Sequence, residues 1–233
     1  MSPSNPVPHQ NRFQLVVFDW DGTLMDSIAS IIECSQTTLD ELSLPRVDDD
    51  VIRGAIGLGL REIVERLAPD CEEETFRQIV ETYRRLWFGV YSYQPRLFSD
   101  VAGTLETLRG HGYLLAVATA KSRGGLNRDL RATGQEDVFR ATRTEDESRS
   151  KPHPQMILDI LDELGVKPPQ TLMVGDTTHD LEMAHSAGAH AAAVGTGSHS
   201  REVLLKASPL VYFDRVGELP WWLADGTART SSG

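Results

Sequence analysis

The sequence has no apolar run that approaches the ~20 residues needed to span a membrane. It has two cysteines, Cys34 and Cys71, without a nearby partner motif, so a disulfide framework is not expected. Positive charge is scarce, since 23 basic against 34 acidic residues give a net charge of −11. This balance argues against nucleic acid or an anionic membrane as a partner. We therefore expect a cytoplasmic protein with a small-molecule partner.

Both ends of the chain contain few apolar residues. Residues 1–11 are rich in Pro, Ser and Asn, and they lack the apolar centre of a signal peptide. Residues 225–233 are rich in Gly, Ser and Thr. We predict that both ends are flexible tails. The 233-residue chain is 40% apolar, which is enough for one domain with a smaller insert.

The remaining sequence divides by its hydrophobic pattern. An apolar run at 15–18 predicts a buried parallel strand. Helical spacing then predicts helices at 26–42, 51–56, 60–67 and 75–90, with no convincing strand among them. After residue 98, helices at 101–109, 123–133, 154–164 and 180–187 alternate with strands at 113–118, 138–141, 171–174, 191–194 and 210–213. Trp221 and Trp222 fall in a terminal helix.

This order of elements predicts an α/β fold. Alternating strands and helices favour a Rossmann-like parallel sheet core, formed by residues 12–25 and 98–224. The helical block, residues 26–97, is predicted to be an all-helical cap inserted after the first strand. Because ligands of such sheets bind beyond the carboxyl ends of the strands, the residues that follow each strand are the candidates for chemistry.

Four carboxylates and one hydroxyl follow the predicted strands: Asp19, Asp21, Asp176, Asp180 and Thr119. Lys151 precedes the predicted helix at 154–164 and could reach the same crevice. Four carboxylates in one crevice would repel each other without a cation. Oxygen ligands without nearby Cys or clustered His favour a hard ion, and Mg²⁺ is the usual choice beside phosphate. Thr119 and Lys151 can bind the other oxygens of a phosphoryl group. The set therefore predicts phosphoryl transfer.

The segment from Asp19 to Thr23 suggests a mechanism. In an extended segment, side chains two apart point the same way, so Asp19 and Asp21 could face one phosphorus atom. One carboxylate attacks and forms an aspartyl-phosphate, and the other can act as general acid and then general base. Gly22 permits a tight turn and offers its N–H to the phosphate.

These motifs resemble those of the haloacid dehalogenase (HAD) superfamily of hydrolases. The four family motifs correspond, in order, to the Asp19–Thr23 segment, Thr119, Lys151 and the segment Gly175 to Asp180. The resemblance implies that Asp19 is nucleophile and metal ligand. It implies that Asp21 is the acid/base and gives its backbone carbonyl to Mg²⁺. Thr119 and Lys151 would bind the phosphoryl group, Asp176 would bind Mg²⁺, and Asp180 would support the metal site directly or indirectly.

The predicted cap sits where subfamily I members carry a helical cap, and it is similar to that of the phosphoglycolate phosphatase-like group. Arg53 and Gly57 resemble the substrate-facing cap loop of that group, which implies substrate binding by both. The second motif often reads Thr-Asn-Lys, whereas Ala120 stands here at the Asn position. The phosphate would keep the Ala120 backbone N–H but lose an amide side chain. Phosphoglycolate is the substrate that this resemblance favours.

Several alternatives stay open at this stage. The enzyme could be a sugar-phosphate or nucleotide phosphatase, or a phosphomutase of the β-phosphoglucomutase kind. A dehalogenase is disfavoured because Asp21 is present, and a phosphonatase because residues 27–94 contain no Lys. A non-catalytic binding module is disfavoured because crowded carboxylates are costly to keep without a task. The chain is expected to be a monomer or a homodimer.

Overall fold

A computed structural model describes residues 12–91 and 95–225. The predicted tails lie outside these residues, except that Asp225 is the end of the last helix. The strands are β1 (Leu15–Phe18), β2 (Leu114–Thr119), β3 (Ala141–Thr144), β4 (Thr171–Gly175), β5 (His190–Val194) and β6 (Val211–Phe213). They form one sheet in the order β3-β2-β1-β4-β5-β6, and every neighbouring pair is parallel. The predicted fold class is confirmed.

Helices cover both faces of the sheet because side chains of each buried strand alternate between two apolar clusters. Val16 and Phe18 of β1 face one cluster, whereas Leu15 and Val17 face the other. The helices of the core are α5 (Val101–Gly110), α6 (Arg123–Thr133), α7 (Gln155–Leu164), α8 (Thr178–Ser186), α9 (Arg201–Lys206) and α10 (Leu219–Asp225).

Among the described residues, four α-helices lie between β1 and α5, in the segment predicted to be the cap. They are α1 (Ile28–Glu41), α2 (Asp49–Ala55), α3 (Leu60–Leu67) and α4 (Glu73–Leu86), and α4 continues as a π-helical turn at Trp87–Tyr91. Two linkers join the cap to the core, and they pair with each other. Asp26 N donates to Arg96 O at 2.9 Å, and Phe98 N donates to Leu24 O at 3.0 Å. The bounds of cap and core given from the sequence remain a prediction.

Two sequence-based assignments need correction. The third strand is Ala141–Thr144 rather than 138–141. Val138 and Phe139, which suggested the earlier start, pack against the core from a loop. Helix α9 was not predicted, because its six residues are too few to show a helical period. Within the described residues, no helix combines the length and apolar character that crossing a membrane requires.

Candidate active site

Three neighbouring strands bring the predicted catalytic residues to one edge of the sheet. Phe18 pairs with a β2 residue on one side and a β4 residue on the other, so the three strands end almost level. Asp19 directly follows β1, Thr119 ends β2, and Asp176 directly follows β4. The Asp19 N–H donates to Val174 O at 2.9 Å, which fixes the position of Asp19 against β4.

A cluster of three buried carboxylates lies at this edge. Asp19, Asp176 and Asp180 each place an oxygen within 4.8 Å of the others. Lys151 donates to Asp19 Oδ1 at 2.5 Å and to Asp180 Oδ1 at 2.6 Å, and its side chain is fully buried. Three carboxylates and one ammonium leave two negative charges away from water. A divalent cation would balance that charge, and the all-oxygen donor set suits a hard ion.

Hydrogen bonds from the surrounding loops hold two of these carboxylates in place. Asp176 accepts from Thr23 Oγ1 at 2.8 Å and from Ser198 N at 2.7 Å. Asp180 Oδ2 accepts from Thr177 Oγ1 at 2.7 Å and from Thr177 N at 3.1 Å, in a capping box at the start of α8. By contrast, no hydrogen bond from the described residues reaches Asp19 Oδ2. One oxygen of Asp19 is therefore anchored by Lys151 and the other is left for a reactant.

Burial and like charge raise the pKa of the clustered carboxylates. Burial is the main reason why the pKa of Asp19 lies well above its ordinary value, although Lys151 opposes this effect. Burial and Asp180 likewise raise the pKa of Asp176, to about 6. The pKa of Lys151 is also raised: burial alone would lower it, but the neighbouring Asp180 and Asp19 outweigh that effect. Burial and like charge thus disfavour the fully ionised carboxylates in the absence of an added cation.

Asp21 lies apart from this cluster. Its Oδ1 accepts from Ser27 Oγ at 2.7 Å, and its Oδ2 lies 3.2 Å from Lys121 Nζ. Lys121 Nζ also lies 3.2 Å from Asp129 Oδ2, which accepts from Trp20 Nε1 at 3.1 Å. The second carboxylate of the motif is thus held by a buried lysine on the β2–α6 loop. Its predicted part in metal binding was through the backbone carbonyl.

Gly22 is required by the close approach of the backbone to the carboxylate cluster. Its φ is +84°, and a Cβ at this position would lie 2.6 Å from Asp176 Oδ2. Thr196 Oγ1 donates to the Gly22 carbonyl oxygen at 2.7 Å. Only glycine combines this backbone conformation with this contact.

A cavity of about 180 Å³ joins the strand ends to the cap. Asp19, Asp21, Thr119 and Ala120 line it from the core, and Gly57 lines it from the cap. Gly22 is absent from its lining, as is Arg53, whose Nε lies 3.9 Å from Asp50 Oδ1. The cavity therefore brings Gly57 of the cap to the same space as four of the predicted core residues, and leaves Arg53 outside. Its contact with substrate stays a prediction from the sequence.

Some residues of the site had no role assigned from the sequence. Lys121, Asp129 and Ser27 surround Asp21, while Arg84 and Glu145 line the cavity. Lys121 could have been suspected, because it is the third residue of the Thr-Asn-Lys pattern noted above. The others carry no local signal, since Asp129 and Arg84 lie within ordinary amphipathic helices.

Comparison with known proteins identifies the family. A family model described as haloacid dehalogenase-like hydrolase matches residues 16–194. The chain belongs to this family. Two relatives and one solved structure show how similar this haloacid dehalogenase-like hydrolase is to other members in sequence and in fold.

"Probable phosphatase IndB" of Dickeya dadantii (strain 3937) is 39% identical over 209 residues, which cover 88% of this chain and 91% of the relative. "Phosphoglycolate phosphatase" of Haemophilus influenzae (strain 86-028NP) is 28% identical over 217 residues, covering 89% and 97%. A solved haloacid dehalogenase-like family hydrolase from Streptococcus pneumoniae has a TM-score of 0.79 and 25% identity, covering 90% and 98%.

The haloacid dehalogenase-like hydrolase described here is therefore an enzyme, a phosphatase that acts on a small phosphate compound. Phosphatases of this family generally use a divalent metal, and the buried carboxylates form a suitable site for one.

Proposed function

We propose that the enzyme hydrolyses small phosphate monoesters in two steps, with Asp19 as the nucleophile and Mg²⁺ as the metal. The observation that carries this proposal is the arrangement of Asp19, which lines the cavity, with Oδ1 anchored by Lys151 and with no hydrogen bond from the described residues to Oδ2. Asp19, Asp176 and the backbone carbonyl of Asp21 would hold the ion, supported by Asp180. When bound, Mg²⁺ supplies positive charge that stabilises the phosphoryl oxygens.

In the first step Asp19 attacks the phosphorus atom. A carboxylate oxygen forms the new P–O bond, and the bond between phosphorus and the alcohol oxygen breaks. Asp21, held by Ser27 and Lys121 at the cavity wall, gives its proton to the departing oxygen. Thr119, Ala120 N–H and Lys151 would bind the non-reacting phosphoryl oxygens.

In the second step water attacks the aspartyl-phosphate. Asp21 takes a proton from the water, the bond between phosphorus and Asp19 breaks, and phosphate leaves with the carboxylate restored. The cap covers the strand ends and limits the size of the ester that can enter.

The test measures phosphate release from a panel of small phosphates, with and without Mg²⁺. We expect Mg²⁺-dependent release that Asp19→Asn reduces by at least 10³-fold, because an amide is a poor nucleophile. Asp162→Asn, on the exposed surface of α7, serves as the matched control and should retain activity. Release that survives in Asp19→Asn would overturn the assignment of the nucleophile.

Phosphoglycolate is the first compound of the panel, because the sequence favours it and the Haemophilus influenzae relative bears that name. The two-step hydrolysis proposed here does not depend on this choice. A cytoplasmic location and a monomeric or homodimeric state stay predictions from the sequence.

A further inference from the structure

The cap side of the cavity is an apolar chamber. We define the chamber by six of the aliphatic side chains from α2, α3, α4 and their ends that line the cavity: Ile52, Ile56, Ile63, Val64, Ile79 and Val80. The same cavity reaches Asp19 and Thr119, so a phosphate ester bound at the strand ends would direct its alcohol portion into the chamber. The chamber is therefore the part of the site that meets the leaving group.

The cations that line the cavity are already neutralised by carboxylates or exposed to solvent. Among the described residues that line it, the cations are Lys121 and Arg84. Lys121 is neutralised by Asp21 and Asp129. Arg84 is largely exposed to solvent on α4. A carboxylate on the leaving group would thus exchange water for aliphatic side chains, at a cost that no buried cation offsets.

The aromatic residues Tyr83 and Trp87 also line the cavity. The rings of Tyr83 and Trp87 are stacked, with centroids 6.0 Å apart and planes at 6°. Trp87 also lies over Lys121, whose Nζ is 5.0 Å from the ring centroid. Flat aromatic faces beside an aliphatic chamber favour a flat or compact apolar group.

The size of the cavity limits that group. A cavity of about 150 Å³ lined by aliphatic and aromatic side chains holds one benzene molecule. The volume found here, about 180 Å³, is slightly larger. Because the same cavity also reaches Asp19 and Thr119, part of that volume would hold the phosphate, which limits the alcohol portion to about one six-membered ring.

We infer that the preferred substrate is a phosphate monoester whose leaving group is uncharged, largely apolar and about as large as a six-membered ring. The inference rests on the proposed function and specifies the substrate class of the same site. It predicts a lower kcat/KM for phosphoglycolate than for an uncharged ester of the same length.

Kinetics with matched esters test the inference. Ethyl phosphate and phosphoglycolate share two carbons and differ by a methyl group against a carboxylate, so we expect kcat/KM to favour ethyl phosphate at least ten-fold. Along n-alkyl phosphates, kcat/KM should rise about four-fold per methylene and stop rising near six carbons. Benzyl phosphate should match the best of them. A preference for phosphoglycolate, or a flat alkyl series, would overturn the inference while leaving phosphatase activity established.

A variant that fills the chamber provides a second test. Ile63→Phe adds volume at a half-buried position of α3, so the ratio of kcat/KM for benzyl to ethyl phosphate should fall about ten-fold. The matched control is Val51→Phe, because Val51 is 42% exposed and lies outside the cavity lining. Its ratio should stay within two-fold of wild type. Equal ratios in both variants would contradict the inference.

Measurements of ester affinity test this inference independently of the proposed reaction. Calorimetry with Asp19→Asn and Mg²⁺ should give a dissociation constant for benzyl phosphate at least ten-fold below that for phosphoglycolate. If no ester is hydrolysed by wild type, the proposed function fails, yet this difference in affinity still supports the chamber. If phosphoglycolate binds as tightly as benzyl phosphate, the inference fails whatever the activity.

Discussion

At the scale of single residues, Gly22 illustrates how backbone conformation and side-chain space act separately. Gly22 and Gly112 have nearly the same φ, +84° and +85°, but a Cβ at Gly112 would meet no atom within 4 Å. At Gly22 the same atom would press on Asp176. A side chain would therefore cause backbone strain at both positions, but a steric clash only at Gly22.

We predict that Gly22→Ala and Gly112→Ala both lower the free energy of unfolding by about 1–2 kcal/mol from backbone strain. Gly22→Ala should additionally displace Asp176 and lower kcat/KM by at least 100-fold, because small shifts of catalytic groups are costly. Chemical denaturation and phosphate-release kinetics measure the two effects. Similar activity of both variants would contradict the steric argument.

The environment of Lys121 leads to a second prediction at this scale. It lies between two carboxylates, Asp21 and Asp129, and all three side chains are at most 14% exposed. Removing the ammonium would leave two partly or fully buried negative charges uncompensated.

Lys121→Met should therefore destabilise the protein by about 3–5 kcal/mol, the usual cost of breaking a buried ion pair at one partner. Lys206→Met is the control, because the pair of Lys206 with Glu202 is more than 70% exposed on both sides. Its effect should stay below about 1 kcal/mol. Urea unfolding measures the free energy of unfolding of both variants. Equal losses would show that the ion pairs of Lys121 do not stabilise the protein.

At the scale of elements, the sequence was most informative where apolar residues follow one clear period. Strand β1 and helices α3 and α6 have the bounds that the pattern predicts. Strand β3 lacks such a pattern: it is an edge strand that buries only Ala141 and Thr144, while the more apolar Val138 and Phe139 precede it. Periodicity thus locates elements that bury a continuous face and misplaces those that do not.

The same limit applies to the candidate site. Asp19, Thr119 and Asp176 could be predicted to meet because parallel strands end together. Contacts between cap and core depend on how two sets of helices dock, which no local pattern encodes. This is why Arg53 was expected at the cavity and Arg84 was found there instead.

One of these docking contacts joins the core to helix α3. Glu145, which follows β3, accepts a hydrogen bond from Leu60 N at 2.5 Å, at the first turn of α3. A carboxylate at a helix N-terminus is favourable, because it pairs with free N–H groups and with the helix dipole. Burial raises the pKa of Glu145 above its ordinary value, and the bond from Leu60 opposes this effect.

We predict that Glu145→Ala weakens the docking of the cap. Hydrogen exchange at the Leu60 amide and in α3 should become at least five-fold faster, whereas exchange in β1 and β4 should not change. Glu145→Gln, which keeps an acceptor oxygen, should show a smaller effect, and Glu136→Ala, at an exposed pair with Arg131, should show none. Unchanged exchange in α3 would mean that the contact does not hold the cap.

At the scale of the whole molecule, the net charge and the active site have opposite effects on an approaching phosphate. The net charge of −11 repels a phosphate dianion at long range, whereas Lys151 and the proposed Mg²⁺ attract it at short range. The buried short-range interactions are shielded from salt, but the surface field is screened once the Debye length falls from about 30 Å at 0.01 M to about 8 Å at 0.15 M salt. Added salt should therefore remove mainly the repulsion.

We predict that kcat/KM for a dianionic ester rises two- to five-fold between 0.01 and 0.15 M KCl at constant free Mg²⁺, while kcat changes little. The rise should come from KM, because screening helps the encounter and not the chemistry at Asp19. A decrease in kcat/KM would mean that the positive charge of the site dominates the field outside it. The acidic surface would then play no part in substrate approach, and the balance between Lys151, Mg²⁺ and the carboxylate cluster alone would decide how the phosphate is captured.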